Sequence, residues 1–215
     1  MLAGASHEQL LPSPAAARLP QMAALLRFAR DPRDGATRAL AAALAQFHCV
    51  EHRLTPLWGM SAVEFAALIE HYLPGVESSF PLAPFDVQAP NASRIDADEF
   101  IDLLVLLDEH RADREPASAW LARIVALCCM GENHLWEDMG LANRGELCTL
   151  MASSFPSLCA LNRDNMRWKK FLYKQLCERE DLFLCRSPIC TECGDYKNCF
   201  GPETSDESAW VRRSE

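Results

Sequence analysis

The chain predicts an all-α protein, an irregular helical bundle ending in a C-terminal cysteine-rich metal-binding loop. Three observations predict it. Apolar residues recur at three- and four-residue spacings over most of the 215 residues. Helix-capping pairs stand ahead of several of those runs. No alternating strand of useful length and no internal repeat occurs.

The first twenty residues contain Pro12, Pro14 and Pro20 and read as a loose arm leading into a helix. Leu40, Leu44, Phe47, Val50 and Leu54 then follow helical spacing across an alanine-rich run. Ser61 and Glu64 have the capping-box spacing, with Phe65, Leu68, Ile69 and Tyr72 as the apolar stripe behind them. Pro74-Gly75 ends that helix. Residues 74–93 carry Pro81, Pro84 and Pro90 with few periodic positions, and read as a long ordered loop.

Asp96 with Glu99 offers the next cap, ahead of Phe100, Leu103, Leu104 and Leu107. Pro116 suits the first turn of a helix, where its missing N–H costs nothing. Trp120, Leu121, Ile124, Val125 and Cys128 form that helix's buried face. Two further helices are expected at roughly 144–155 and 163–178. The resulting organisation is a flexible arm over 1–20, a helical domain over 21–180, a metal-cluster segment over 181–204 and a flexible tail over 205–215.

A hydrophobic content of 49% suffices for a packed core. The net charge of -9 argues against the basic surface that nucleic-acid binding needs. No apolar stretch is long enough for a transmembrane helix, and no membrane association is expected. The first ten residues lack a basic region followed by an apolar one, so no secretory signal is expected and the protein reads as cytoplasmic. Disulfides are rare in that reducing compartment, so the ten cysteines point to metal or redox chemistry.

Four of them form a C-x4-C-x2-C-x5-C array: Cys185, Cys190, Cys193 and Cys199. Pro188, Gly194 and polar residues separate these thiols, so the array is no buried stripe of a helix. A metal supplies the reason for collecting them, because coordinated thiolates are satisfied and can order a loop that has no core. Zinc sites usually use two separated pairs. Here a single C-x2-C pair is flanked closely by two more thiols. The first three share the spacing of plant-type ferredoxin loops, although the fourth follows much sooner. The spacing favours an iron–sulfur type cluster. It leaves open zinc in a helical interaction module and free thiols in a redox sensor.

Other candidates are weaker. Arg163, Arg167, Lys170 and Lys174 fall at i, i+4, i+7 and i+11, a basic stripe that reads either as a solvated face or as a surface for an oxyanion or acidic partner. His134 stands among Glu132, Glu137 and Asp138 and beside Trp136, either as a hydrogen-bonded structural residue or as an accessory metal ligand. His48 and His52 have i, i+4 spacing and read as structural. Cys49, Cys128, Cys129, Cys148, Cys159 and Cys177 lie on apolar or amphipathic stretches, most of them as inert core thiols. No phosphate-binding glycine loop, nucleophile elbow or dinucleotide fingerprint supports a conventional hydrolase, kinase or dehydrogenase.

The array, followed at once by Phe200-Gly201-Pro202-Glu203, resembles the nitrogen-fixation NifQ family. So do ENHLWEDMGL over 132–141, with Arg144, Glu146 and Leu147 beyond it, and NMRWKKFLYKQLCERE over 165–180. The resemblance implies a carrier, not an enzyme. It implies that Cys185, Cys190, Cys193 and Cys199 bind a molybdenum–iron–sulfur cluster, built on an iron–sulfur precursor. The carrier would supply molybdenum for the nitrogenase iron–molybdenum cofactor. Its implied partners are the cofactor assembly scaffold, the nitrogenase iron protein, and molybdate or another molybdenum source. Beside such a cluster, His134 is expected near an exchangeable molybdenum corner, and the basic stripe is expected to draw in molybdate or dock an acidic partner.

Overall fold

The computed structural model describes residues 14–50, 52–84, 95–179, 196–201 and 203. Its elements are α1 (Pro14–Leu26), α2 (Gly35–Phe47), β1 (Cys49–Val50), β2 (Arg53–Leu54), α3 (Ala62–Tyr72) and α4 (Ala97–Glu109). They continue with α5 (Pro116–Cys129), α6 (Leu135–Asp138), α7 (Arg144–Ser154), α8 (Pro156–Leu161), α9 (Trp168–Arg179) and α10 (Tyr196–Phe200). The all-α class holds, with one two-stranded hairpin as the sheet content among the described residues.

Helix α2 is the axis of the bundle. Asp34 caps it, accepting from the Thr37 N–H at 2.8 Å. Ala39, Ala41, Ala42 and Ala43 are all buried beside Leu40 and Leu44. Side chains this small let neighbours approach on several sides, and α1, α5, α6 and α7 all pack on this helix. Around it the expected caps form. Ser61 and Glu64 make a reciprocal capping box, and all four residues of the stripe behind it are buried. Asp96 accepts from the N–H groups of Asp98 and Glu99, and Pro116 opens α5.

Three boundaries differ from the sequence reading, each for a local reason. The first helix begins at Pro14 and contains Pro20. Burial of Met22 and Leu25 against the core supports it there, together with Arg18, which donates to Gln46 at 2.7 Å. Residues 1–13 of the expected arm, and the expected tail, lie outside the described residues. Helix α2 stops at Phe47, and the chain reverses through the hairpin, in which His52 has a φ of 62°. Val50 and Leu54 therefore do not extend the helix, and His48 and His52 share no helix face.

The third difference concerns the expected helix over 163–178. Phe155 ends α7, and Pro156 begins a separate α8, because proline lacks the N–H needed to continue the first helix. After α8, the Asn162 side chain bonds both backbone groups of Met166, and Asn165 takes a φ of 54°. That turn delays α9 to Trp168.

Candidate metal centre

The site is best built from α5 outward. Helix α5 ends at Cys129, and the chain passes through Gly131 and Asn133 to His134, which precedes the four-residue α6. The His134 backbone N–H donates to Glu137 Oε2 at 3.0 Å, and its carbonyl accepts from both Glu137 and Asp138. His134 is 4% exposed.

Asp138 organises this loop. Its carboxylate is fully buried and accepts from Asn133 N at 3.1 Å and Asn133 Nδ2 at 2.9 Å. It also meets Arg18 of α1 at 3.2 Å and Lys169 of α9 at 2.7 Å. Lys169 donates a second bond to the Gly131 carbonyl at 2.7 Å. A buried carboxylate needs such partners, because removing an ion from water costs several kcal/mol unless charges and hydrogen bonds replace the solvent, on the order of magnitude of known buried pairs. Position 131 must be glycine for the same reason, since a Cβ there would stand 2.3 Å from Asp138 Oδ2.

Beside this loop opens a cavity of about 350 Å³, lined by His134, Arg167, Lys169, Lys170, Tyr173 and Glu203 among others. Tyr173 donates its hydroxyl to Glu99 across the α4–α9 packing. Burial, followed by that hydrogen bond, pushes the Tyr173 phenol up, so it stays protonated. Cys129 also lines the cavity. Burial pushes its thiol up to about 12 and raises Cys128 further, so both fit the inert core thiols expected of them.

Cys185, Cys190 and Cys193 lie outside the described residues. Cys199, the last of the array, sits on α10 and is half-buried against the core. Its carbonyl accepts from the Arg167 N–H at 2.7 Å, just ahead of α9. Arg167 is itself one of the cavity's lining residues. The final member of the array therefore belongs to a segment docked at the wall that also holds His134. Among the described residues no group of three or more His, Cys, Asp and Glu side chains is placed to hold a metal ion.

The expected basic stripe does not form as one face. Arg163 lies on the turn before α9 and is exposed, while Lys174 pairs with Glu178 at 3.5 Å. Arg167 and Lys170 do line the cavity, and Lys169 joins them. Lys169 and Asp138 are site residues that no motif in the sequence singles out. Spacing alone could not pair them across 31 positions. Their signal is that they fall in the two segments carrying the family resemblance.

Comparison with known proteins shows the family. The family model described as NifQ matches residues 17–201. Protein NifQ of Azotobacter vinelandii is 48% identical over 106 residues, covering 49% of this chain and 54% of that protein. Protein NifQ of Rhodobacter capsulatus is 39% identical over 150 residues, covering 70% of this chain and 79% of the relative. A NifQ homolog of Sinorhizobium fredii is 35% identical over 172 residues, covering 80% and 73% of the two chains. The chain thus spans just over half of the first relative's length and about three quarters of the other two. No solved structure matches it.

Proposed function

The chain belongs to the NifQ family of nitrogen fixation, and from that premise we propose that it carries molybdenum in a molybdenum–iron–sulfur cluster for assembly of the nitrogenase iron–molybdenum cofactor. Cys185, Cys190, Cys193 and Cys199 supply the protein ligands. Soft thiolates suit the irons of such a cluster, and sulfide holds most of the molybdenum. The cluster is cargo, so the protein is a carrier and not an enzyme. It works in the cytoplasm, receives molybdenum from molybdate or another source, and passes it to the assembly scaffold and the nitrogenase iron protein. No helix among the described residues is long and apolar enough to cross a membrane.

One observation supports this reading above the others. The last cysteine of the array is docked at the wall of a cavity that offers His134 together with Arg167, Lys169 and Lys170. A donor must hold its cluster yet leave the molybdenum corner exchangeable. A nitrogen ligand such as His134 gives that corner a partner that exchanges more readily than a closed set of thiolates. Arg167 and Lys170 provide positive charge for an anionic cargo or molybdate, an effect that salt screens.

Anaerobic loading with iron, sulfide and molybdate, followed by metal analysis and electron paramagnetic resonance, tests the proposal. The expected product is brown, contains iron, sulfide and molybdenum, and loses them when Cys190 or Cys193 is replaced by serine. A colourless protein retaining only zinc would overturn the reading in favour of a structural module. A reversible Cys190–Cys193 disulfide with no bound metal would overturn it in favour of a redox sensor.

A further inference from the structure

We infer that Glu203 is a positioning residue, a clasp whose carboxylate holds the α10 segment bearing Cys199 against the wall of the His134 cavity. The inference rests on the cluster-carrier reading for its purpose, but not for its geometry.

The geometry starts at α10, a five-residue helix too short to be stable by itself. Something outside it must hold it in place. The Arg167 N–H donates to the Cys199 carbonyl at 2.7 Å, and Arg167 Nε donates to the Gly201 carbonyl at 3.2 Å. Gly201 is required for this approach, because a Cβ there would lie 2.4 Å from the Lys197 carbonyl oxygen and 3.1 Å from the Arg167 guanidinium. Two residues further on, Glu203 Oε1 stands 3.3 Å from Arg144 Nη1, with its side chain only 3% exposed.

Arg144 is well placed to anchor such a clasp. It starts α7, and its Nη2 also donates to the Asn165 carbonyl at 2.8 Å and the Met166 carbonyl at 3.0 Å. One guanidinium thus fastens the chain just before α9 and the chain just after α10. Burial pushes the Glu203 carboxyl up, while Arg144, Arg167 and the Trp136 side chain oppose that rise. Glu203 and Arg144 form a buried ion pair, and removing the carboxylate would leave the Arg144 charge behind with little solvent to replace it.

The consequence for a carrier is a division of labour within one array. Cys199 is presented from a segment fixed to the helical body, at the wall shared with His134. Opening the Arg144–Glu203 contact would loosen that segment and leave it only the two Arg167 bonds. The clasp therefore sets how firmly the fourth ligand is held, independently of which metal is bound.

The experiment compares wild type, Glu203→Gln and Glu203→Asp as full chains, first metal-free and reduced, then after anaerobic loading. In the metal-free proteins, alkylation of Cys199 by iodoacetamide is followed by peptide mass spectrometry, with Cys177 as internal reference. Glu203→Gln should accelerate Cys199 about tenfold, equivalent to about 1.4 kcal/mol of lost docking, while Glu203→Asp restores most of the protection. After loading, Glu203→Gln should retain iron but alter the paramagnetic resonance signal, with the aspartate variant closer to wild type. An unchanged Cys199 rate in Glu203→Gln would overturn the clasp. Should Glu203→Gln fold poorly, Arg144→Gln removes the other pole of the contact, and an unchanged Cys199 rate in that variant would overturn the clasp. If wild type itself takes up no cluster, the carrier reading fails, and the alkylation rates still judge the clasp.

Discussion

The ammonium of Lys169 lies 2.7 Å from a carboxylate oxygen of Asp138, and that carboxylate has no exposure to solvent. Through this pair α9, which leads into the cysteine segment, is tied to the loop that carries His134. Arg18 completes the arrangement from α1. Breaking a buried pair by removing one partner costs about 3–5 kcal/mol, because the other charge stays behind. Asp138→Ala should therefore lose about 3 kcal/mol of unfolding free energy in a denaturant titration. A loss below about 1 kcal/mol, the range of exposed ion pairs, would show that the network is ornamental.

Buried His48 makes stability depend on pH. It is 1% exposed, and burial lowers its pKa to about 4 from the usual 6.5. Its Nδ1 lies 3.1 Å from Thr55 Oγ1. The unfolded chain takes up the imidazole proton as pH falls through the ordinary value, whereas the folded chain resists until about 4. The contribution of neutral His48 is thus full above the ordinary histidine value and lost as pH drops toward 4, for a total of about 3 kcal/mol. Unfolding titrations of wild type and His48→Gln from neutral to acid pH should show the wild type falling more steeply across that window. Parallel curves would contradict the assignment.

The thiols divide into two classes. Cys128 and Cys129 are buried, and desolvation raises both, Cys129 to about 12. At pH ~8 almost no thiolate exists at either position, so both react slowly. Iodoacetamide should leave both unmodified in the native metal-free protein while alkylating half-buried Cys177. Labelling of Cys129 at the rate of Cys177 would mean that the cavity wall opens.

His134 tests the exchangeable corner. On the carrier reading, His134→Ala should lower the molybdenum-to-iron ratio after anaerobic loading without removing the iron, since the thiolates remain. Equal molybdenum and iron loading in the variant, with equal delivery, would retire the imidazole as a ligand and leave it a structural residue of the α6 turn.

Much of this was legible in the sequence, and the reasons differ by element. The cap at Ser61 and Glu64 and the stripe from Phe65 to Tyr72 were readable because capping and burial there are local, decided within about three turns. The end of α2 was not, because the apolar spacing of Val50 and Leu54 fits a helix as well as a hairpin. Only the turn at His52 and the packing of Leu54 distinguish the two. The stripe from Arg163 to Lys174 misled for a similar reason. Helical spacing says nothing about where a helix starts, and side-chain bonds of Asn162 move that start to Trp168. The array of four cysteines is plain in the sequence as a pattern, and three of its members lie outside the described residues, so its metal reading belongs to the proposal above. The Asp138–Lys169 pair and the Arg144–Glu203 clasp could not be read there, because each joins residues far apart in sequence whose pairing exists only once the bundle forms.

On the carrier reading, molybdenum carried on this chain becomes cofactor molybdenum. The most direct measurement loads the protein anaerobically with an isotopically labelled molybdenum, removes unbound metal, and supplies it to the cofactor assembly machinery as the labelled source alongside an excess of unlabelled molybdate. Labelled molybdenum should leave the chain and appear in the iron–molybdenum cofactor ahead of the unlabelled pool, and replacing Cys190 by serine should abolish this transfer. Label that stays on the chain while cofactor forms from free molybdate would contradict that reading.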